Sequence, residues 1–408
     1  MLAGKIVLMM VLESALVLPG FALQAAPELP NQWQTSMDAA AKAEAQGNLE
    51  EAEKNLTSAL NLTETSGRND QRLVQTLFKL GEVYEKEGKY EPAEPLYSRA
   101  LQIWERTLGP NNLIVAKGYT KLADLYRSER KYTIAETTYK RSLAILENAA
   151  GPNDQSVAPD LTGLAEISRA QGNYEDAERL YRRSLSIWQN SLGPEHPMVA
   201  QSLNNLASLY EAQGKDAEAE PLYLQALSIV DKGMGQNAPY ATPILNNLAD
   251  LYYNKKEYAK AEPLLVRSLA TTRKAAGWSS PDAAQVMNSL GLVYDAEGKR
   301  ARAEPLYQQS LRIWEKALGP NDANVASSLN NLAALYYAEG KYTAAEPLYK
   351  RSLIIVEHSL GPNSIEAAQS LENYAALLRK TKRAAEADKM DARAKDIRAK
   401  LPKPPDAK

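Results

Sequence analysis

Few groups in this chain could do catalytic chemistry, and they are poorly placed for it. There are two histidines and no cysteine. His196 and His358 lie far apart, and neither has another histidine at metal-ligand spacing, so a zinc site lacks its second member. Without cysteine there is no disulfide, thiolate zinc site, thiol nucleophile or lipidated N-terminal thiol. No glycine-rich phosphate loop and no nucleophile elbow occurs. The acid pairs Glu50-Glu51 and Glu175-Asp176 fall at predicted helix starts, where they favour the helix dipole. The expectation is a protein that is not an enzyme and needs no metal or other cofactor. What recurs instead is asparagine: Asn204 and Asn205, Asn246 and Asn247, Asn288, Asn330 and Asn331, and Asn373. A carboxamide donates and accepts at once, so a row of them can pair with the backbone of an extended segment without reading its sequence. The same row can also pair with itself as a ladder between neighbours, or persist by descent from one ancestral unit. Asparagine is a weak helix former, so its place inside predicted helices needs one of these reasons.

The asparagines keep step with a repeat. Gly67, Gly109, Gly151, Gly193, Gly235, Gly277, Gly319 and Gly361 are each 42 residues from the next. A period of about 20–50 residues is the mark of stacked supersecondary units, whose extended surface suits binding. In residues 324–361, Val325, Leu329, Leu332, Ala333, Leu335 and Tyr336 follow helical spacing. Gly340 then ends the first helix. Thr343 and Glu346 read as a capping box opening a second helix, as do Thr133 and Glu136. Pro347 is placed in the first turn of that helix, with Pro95, Pro221, Pro263 and Pro305 in the same phase. Leu360-Gly361-Pro362 closes it. Small residues recur in the first helix (Gly81, Ala123, Ala165, Ala207, Ala249, Gly291, Ala333, Ala375). They face large ones in the second (Tyr97, Tyr139, Tyr181, Tyr223, Tyr307, Tyr349), the arrangement by which helices interlock.

The periodicity predicts an all-α array of about nine stacked helix-turn-helix units. A degenerate first repeat covers 34–62, seven regular repeats cover 73–359, and a capping repeat with a charged last helix covers 366–400. The proline-rich tail 401–408 is expected to be disordered. Residues 1–25 read as a secretory signal peptide: Lys5, an apolar run from Ile6 to Leu18 broken by Glu13, then small residues with cleavage after Ala22 or Ala25. The run is too short for a bilayer span, so no stable membrane insertion is expected after cleavage. With a formal net charge of -2 and no basic stripe, nucleic acid is not an expected partner.

Leu332-Ala333, Tyr336, Ala345 and Tyr349, with the recurring strings LNNLA, GKY, AEPLY, RSL and LGP, resemble the tetratricopeptide repeat (TPR) in its longer, kinesin-light-chain-type form. The resemblance covers about residues 34–400. It implies a right-handed α-solenoid whose first helices line a concave groove. The family's contact positions lie two and three residues before the in-phase small residue. There they are filled by Asn204, Asn205, Asn246, Asn247, Asn288, Asn330, Asn331 and Asn373, with Tyr253 and Tyr337 further along the groove. The N-terminal part mixes Lys79, Lys117 and Lys121 with acids, which departs from the basic clamp that holds a free C-terminus. The expected function is an exported, periplasmic or secreted scaffold that binds an extended segment of a protein partner. Two alternatives stand beside it. One is an assembly role through the convex face or array ends, with Trp104, Trp188 and Trp314 as candidate contacts, although their phase on the second helix favours a core position for them. The other is a cytoplasmic adaptor whose N-terminus is not a signal.

Overall fold

The structure, a computed structural model, describes residues 29–64 and 71–400. The signal segment 1–25 and the tail 401–408 lie outside the described residues. Those residues form eighteen α-helices and one 3₁₀ turn, with no strand among them. Contacts divide the chain into two compact units, which meet in sequence at residues 209 and 210.

The first unit holds α1 (Leu29–Ala45), α2 (Leu49–Glu64), α3 (Gln71–Lys86), α4 (Tyr90–Leu108), α5 (Leu113–Ser128), α6 (Tyr132–Ala150), α7 (Ala158–Ala170), α8 (Tyr174–Leu192) and most of α9 (Pro197–Ala212). The second holds the end of α9, then α10 (Asp216–Met234), α11 (Ala241–Asn254), α12 (Tyr258–Ala276), α13 (Pro281–Ala296), α14 (Arg300–Leu318), α15 (Ala323–Ala338), α16 (Tyr342–Ser359), α17 (Ile365–Lys380) and α18 (Ala384–Lys400). Odd-numbered helices are the first members of each pair.

Within a pair, a tyrosine ring of the second helix lies against a small residue of the first. Tyr97 and Tyr307 are wholly buried. A Cβ built on Gly81 would stand 2.7 Å from the Tyr97 ring, and one on Gly291 would stand 2.6 Å from that of Tyr307. These rings therefore occupy the space that a side chain would need. The serine of RSL ties the same pair: Ser142, Ser184 and Ser352 are buried and donate to the carbonyls of Ala116, Ala158 and Ala326 at 2.9, 3.1 and 2.8 Å. The turn inside a pair is closed by a left-handed residue. Gly340 has φ 76, and Lys341 N donates back to Tyr336 O at 2.8 Å, the hydrogen bond of a Schellman turn.

Successive pairs are clasped by the glutamate of AEP. Glu94 accepts from Tyr126 Oη at 2.9 Å and from Lys131 Nζ at 3.2 Å. In the second unit Glu220 accepts from Tyr252 Oη and Lys255 Nζ at 2.9 and 2.6 Å, and Glu304 from Tyr336 Oη at 2.7 Å. Glu346 accepts from Tyr374 Oη at 3.1 Å and Arg383 at 2.7 Å. Its carboxyl is held down to about 2 by Lys350 and then Arg383.

That role corrects the capping-box expectation. The second helices α6 and α16 begin at Tyr132 and Tyr342, with Lys131 and Lys341 at the N-cap and no side-chain cap bond. Thr133 and Thr343 are thus already inside the helix. Glu136 pairs with Lys140, and Glu346 points to the next pair. For the same reason Pro347 is the sixth residue of α16 rather than a first-turn proline. Side-chain caps occur on first helices, where Asn112, Ser280, Asp322 and Ser364 each accept from a backbone N–H two or three residues on, and on α2, where Asn48 Oδ1 accepts from Glu51 N at 3.2 Å.

One buried polar group is costly. Asp160, on α7, is fully buried and accepts from Thr120 Oγ1 at 2.7 Å, while its other oxygen has no partner. Burial pushes its carboxyl from 3.8 up to about 7. A folded value above the unfolded one means that this group's contribution to stability is full below the unfolded value and is lost as pH rises through the folded one, at about 1.4 kcal/mol per unit of difference. Thermal melts should therefore show lower stability at pH 8 than at pH 5. Asp160→Asn should flatten that slope and raise stability at pH 8. An unchanged slope would show that Asp160 does not titrate across this range.

Candidate peptide-binding face

In the second unit the first helices of neighbouring pairs touch one another, α11 on α13, α13 on α15 and α15 on α17. Their in-phase small residues turn toward their own second helix. The residue three positions earlier lies toward that same side, and the residue two positions earlier turns toward the adjacent pair. The asparagines follow this geometry. Asn331 Nδ2 on α15 donates to Asn288 Oδ1 on α13 at 3.0 Å, and Asn373 Nδ2 on α17 donates to Asn330 Oδ1 on α15 at 2.9 Å. Gln369 Nε2 adds a bond to Asn373 Oδ1 at 3.2 Å. The ladder does not take the same form between α11 and α13, where Ser289 stands in the donor position. Asn246 Oδ1 instead accepts from Ser268 of its own pair at 2.6 Å.

Asn246, Asn247, Asn288, Asn330, Asn331 and Asn373 are all half-buried, so the ladder runs along an accessible face. Tyr253 and Tyr337 are also half-buried on this face. Each tilts against a tyrosine at the start of the following helix, Tyr258 at 5.5 Å and Tyr342 at 5.6 Å between ring centroids. An extended strand laid across the unit meets carboxamides with spare hydrogen-bonding capacity and two aromatic edges. After the ladder bonds, Asn288 and Asn330 each retain both amide protons and Asn331 retains its carbonyl oxygen.

The first unit fills the same columns with charge. Lys79 pairs with Glu82 at 2.8 Å, and Lys121 approaches Glu82 at 3.9 Å. Arg127 pairs with Glu166 at 2.5 Å and Asp124 at 3.4 Å, and Tyr139 Oη donates to Asp124. Gly163 leaves room for a neighbouring ring, since a Cβ there would stand 2.3 Å from Tyr139. Of the asparagines at the end of this unit, Asn204 is buried and Asn205 half-buried. Of the charged members of the position just after the in-phase tyrosine, Glu85 and Arg127 do not stand out from the sequence alone. Glu85 there is buried, accepts from Tyr97 Oη at 2.6 Å, and is pushed up to about 7 by burial. Arg127 occupies the same phase. The 42-residue register was the signal that could have found them.

The tryptophans proposed as convex contacts are packing residues. Trp188 and Trp314 are buried, and half-buried Trp104 stacks on Phe78 with ring centroids 4.5 Å apart. Among the described residues no cluster of three or more His, Asp or Glu is disposed to hold a metal, and no helix is long and apolar enough to cross a membrane.

A stack of interlocked helix pairs with one accessible polar column is the form of a repeat scaffold. The family model described as tetratricopeptide repeat matches residues 36–101, 72–148, 159–232, 240–316, 296–353 and 324–400, and the chain belongs to that family. It is similar to a solved Podosopora anserina protein named for kinesin light chain, with nearly identical TPR-like repeats (25% identity, 50% of this chain and 96% of that one, TM-score 0.45). It is also similar in fold to a Rap protein complexed with Competence and Sporulation Factor (16% identity, 91% and 98%, TM-score 0.56) and to the apo form of RapI (12%, 90% and 98%, TM-score 0.57). No curated protein matches it in sequence.

A neutral side-chain hydrogen bond contributes about 1 kcal/mol net. A double-mutant cycle on Asn288→Ala and Asn331→Ala, followed by urea unfolding, should therefore give a coupling energy of about 0.5–1.5 kcal/mol. A coupling near zero would show that the two carboxamides are not bonded in solution.

Proposed function

We propose that this protein is an exported, non-enzymatic scaffold that holds an extended segment of a protein partner on the first-helix face of its second unit. The observation that carries the reading is the accessible asparagine row. Asn288, Asn330, Asn331 and Asn373 are fixed by one another, and Asn288 and Asn330 still have amide protons to spare. A side chain already held in place loses little freedom when it binds, so its hydrogen bonds convert more fully into affinity. The backbone of an extended segment offers complementary groups at every residue, and Tyr253 and Tyr337 supply apolar edges beside them. The N-terminal segment supports export, with its short basic start, apolar run and small-residue exit.

Asn288→Arg with Asn330→Arg should abolish capture of the partner from an envelope extract while helicity by circular dichroism stays unchanged. Equal recovery by variant and parent would remove this face from consideration. Export predicts that the protein recovered from the periplasm or medium begins just after Ala22 or Ala25 by N-terminal sequencing. A cytosolic product that retains Met1 would favour the adaptor reading.

A further inference from the structure

Most junctions between pairs carry an arginine–acid pair on the second helices. The arginine of RSL reaches an acid 36 residues earlier and a carbonyl of the loop after that acid. Arg183 holds Glu147 at 2.6 Å and the Pro152 carbonyl at 2.7 Å, and Arg351 holds Glu315 at 2.6 Å and the Pro320 carbonyl at 3.2 Å. Arg267 repeats this with Asp231 and Gln236, and Arg393 with Glu357 and Pro362. Between α12 and α14 both members are replaced: Gln309 stands for the arginine and Arg273 for the acid. Beside Gln309, where the longer arginine reaches the loop in other junctions, lies an open cleft of about 430 Å3, lined by Ser279, Gln309, Arg312, Ile313, Lys316 and Ala317. Its charge is one-sided. Arg312 and Lys316 are exposed one turn apart on α14, and among the described residues neither has an ion pair. Arg273 stacks on the Trp278 ring, 3.3 Å from its centroid, and neither it nor Lys274 meets an acid. Glu315, next to Lys316, is taken by Arg351, and Asp282 on α13 makes no ion pair with any of these cations among the described residues. The packing of α12 departs from the repeat at the same place. Thr271-Thr272 replaces the Ile-Trp of α4, α8 and α14, and both threonines are buried with hydroxyls that have no partner among the described residues. Gln189 and Gln225 also replace the arginine–acid pair, but there Ser228 stands in the phase of Arg312.

Cations without a counter-charge, around an open cleft that also offers a hydroxyl and a carboxamide, suit an anion. We propose that this cleft binds a phosphate group, carried as a monoester by a small molecule or by a lipid headgroup. Three features favour phosphate over a single carboxylate. A phosphate monoester carries about −1.5 to −2 charge at neutral pH, and more than one cation waits for it. A guanidinium such as that of Arg312 bonds two phosphate oxygens at once, which leaves the third for Lys316 Nζ, Ser279 Oγ or Gln309 Nε2. Trp278 and Leu318, each adjacent in sequence to a lining residue, are exposed and give the cleft an apolar lip for whatever bears the phosphate. The site uses none of the asparagine row, so it stands or falls apart from the binding face proposed above.

The test titrates the mature chain with glycerol phosphate by isothermal calorimetry, and sediments it with phosphatidylcholine vesicles made with and without phosphatidic acid. Arg312→Gln and Lys316→Gln should each weaken phosphate binding about tenfold, the value of one charge-assisted hydrogen bond. Arg106→Gln removes an exposed cation in the phase of Lys316 from the first unit and should leave affinity unchanged. Gln309→Arg with Arg273→Glu rebuilds the arginine–acid pair of the other junctions and should abolish binding by filling the cleft. Helicity by circular dichroism checks that every variant folds. Binding of glycerol phosphate identifies a soluble ester as sufficient. Binding to phosphatidic acid vesicles alone, with the same loss in Arg312→Gln, identifies a lipid headgroup. The site is overturned if neither probe binds, if Arg106→Gln weakens binding as much as Arg312→Gln, or if the rebuilt pair leaves affinity unchanged.

Discussion

The structure depends on the contact between a tyrosine ring and a small residue across each helix pair. An isolated pair of this kind leaves apolar surface in water, and a short helix alone is marginal. Seating a tyrosine ring against a small residue, as Tyr307 on Gly291 and Tyr97 on Gly81, brings the two helices of a pair close together, and in other pairs the buried serine of the second helix reaches a carbonyl of the first. It also fixes how the first helix is rotated. That rotation turns the tyrosine of LY toward the previous pair, where a glutamate accepts its hydroxyl. Each exposed ion pair of the clasp is worth little alone, about 0–1 kcal/mol. Its repetition at one position in pair after pair makes the stacking register specific.

With rotation fixed, the columns that remain accessible have no freedom to rearrange, and their chemistry is set by residue type alone. The first unit spends these positions on charges that satisfy each other. Arg127 there serves both Asp124 and Glu166, and burial drives the Glu166 carboxyl up while Arg127 opposes it. A face neutralised internally offers a ligand little, because any new contact must first displace an existing one. The second unit has carboxamides and two tyrosines. The two halves of one repeat family thus diverge in what they can still bind, while the packing beneath them is the same.

How much of this could be read from the sequence follows from how each feature is encoded. The tyrosines, the small residues and the glycine turns are set by a period, and a period needs only positions to be seen. Gly340 and Tyr307 could be placed from that alone. The second-helix caps could not, because Thr343 and Glu346 match a local pattern that loses to a tertiary one: the aromatic residue of GKY starts the helix earlier and leaves the glutamate free for Tyr374. Trp188 and Trp314 are ambiguous as letters, since a large apolar residue suits a core or a contact equally, and only burial decides. Nothing in the repeat that holds Gly163 announces the Tyr139 ring of the preceding one, which fills the space beside it. Asp160 stands in a phase where other repeats carry small or apolar residues, so its oddity was visible, but its missing partner was not. The asparagine row was legible as a row, and its bonding was not: Asn288 and Asn331 lie 43 residues apart, one more than the repeat, an offset set by the rotation of adjacent helices.

That offset bears on whether a ladder and a ligand site are rival readings. An asparagine side chain on a helix surface ordinarily samples several rotamers, and a partner strand would have to freeze each one it used. When Asn331 bonds Asn288 and Asn373 bonds Asn330, the freezing has occurred during folding, before any partner arrives. A pair bond uses one oxygen and one N–H, and a carboxamide has more of both. A row that served only stacking could be buried and made apolar with gain, because half-exposed hydrogen bonds contribute little net stability. A row left half-buried, internally fixed and incompletely satisfied costs helix propensity at every position. The same geometry that makes it a modest structural element makes it a prepared surface, which is why the ladder supports the binding reading.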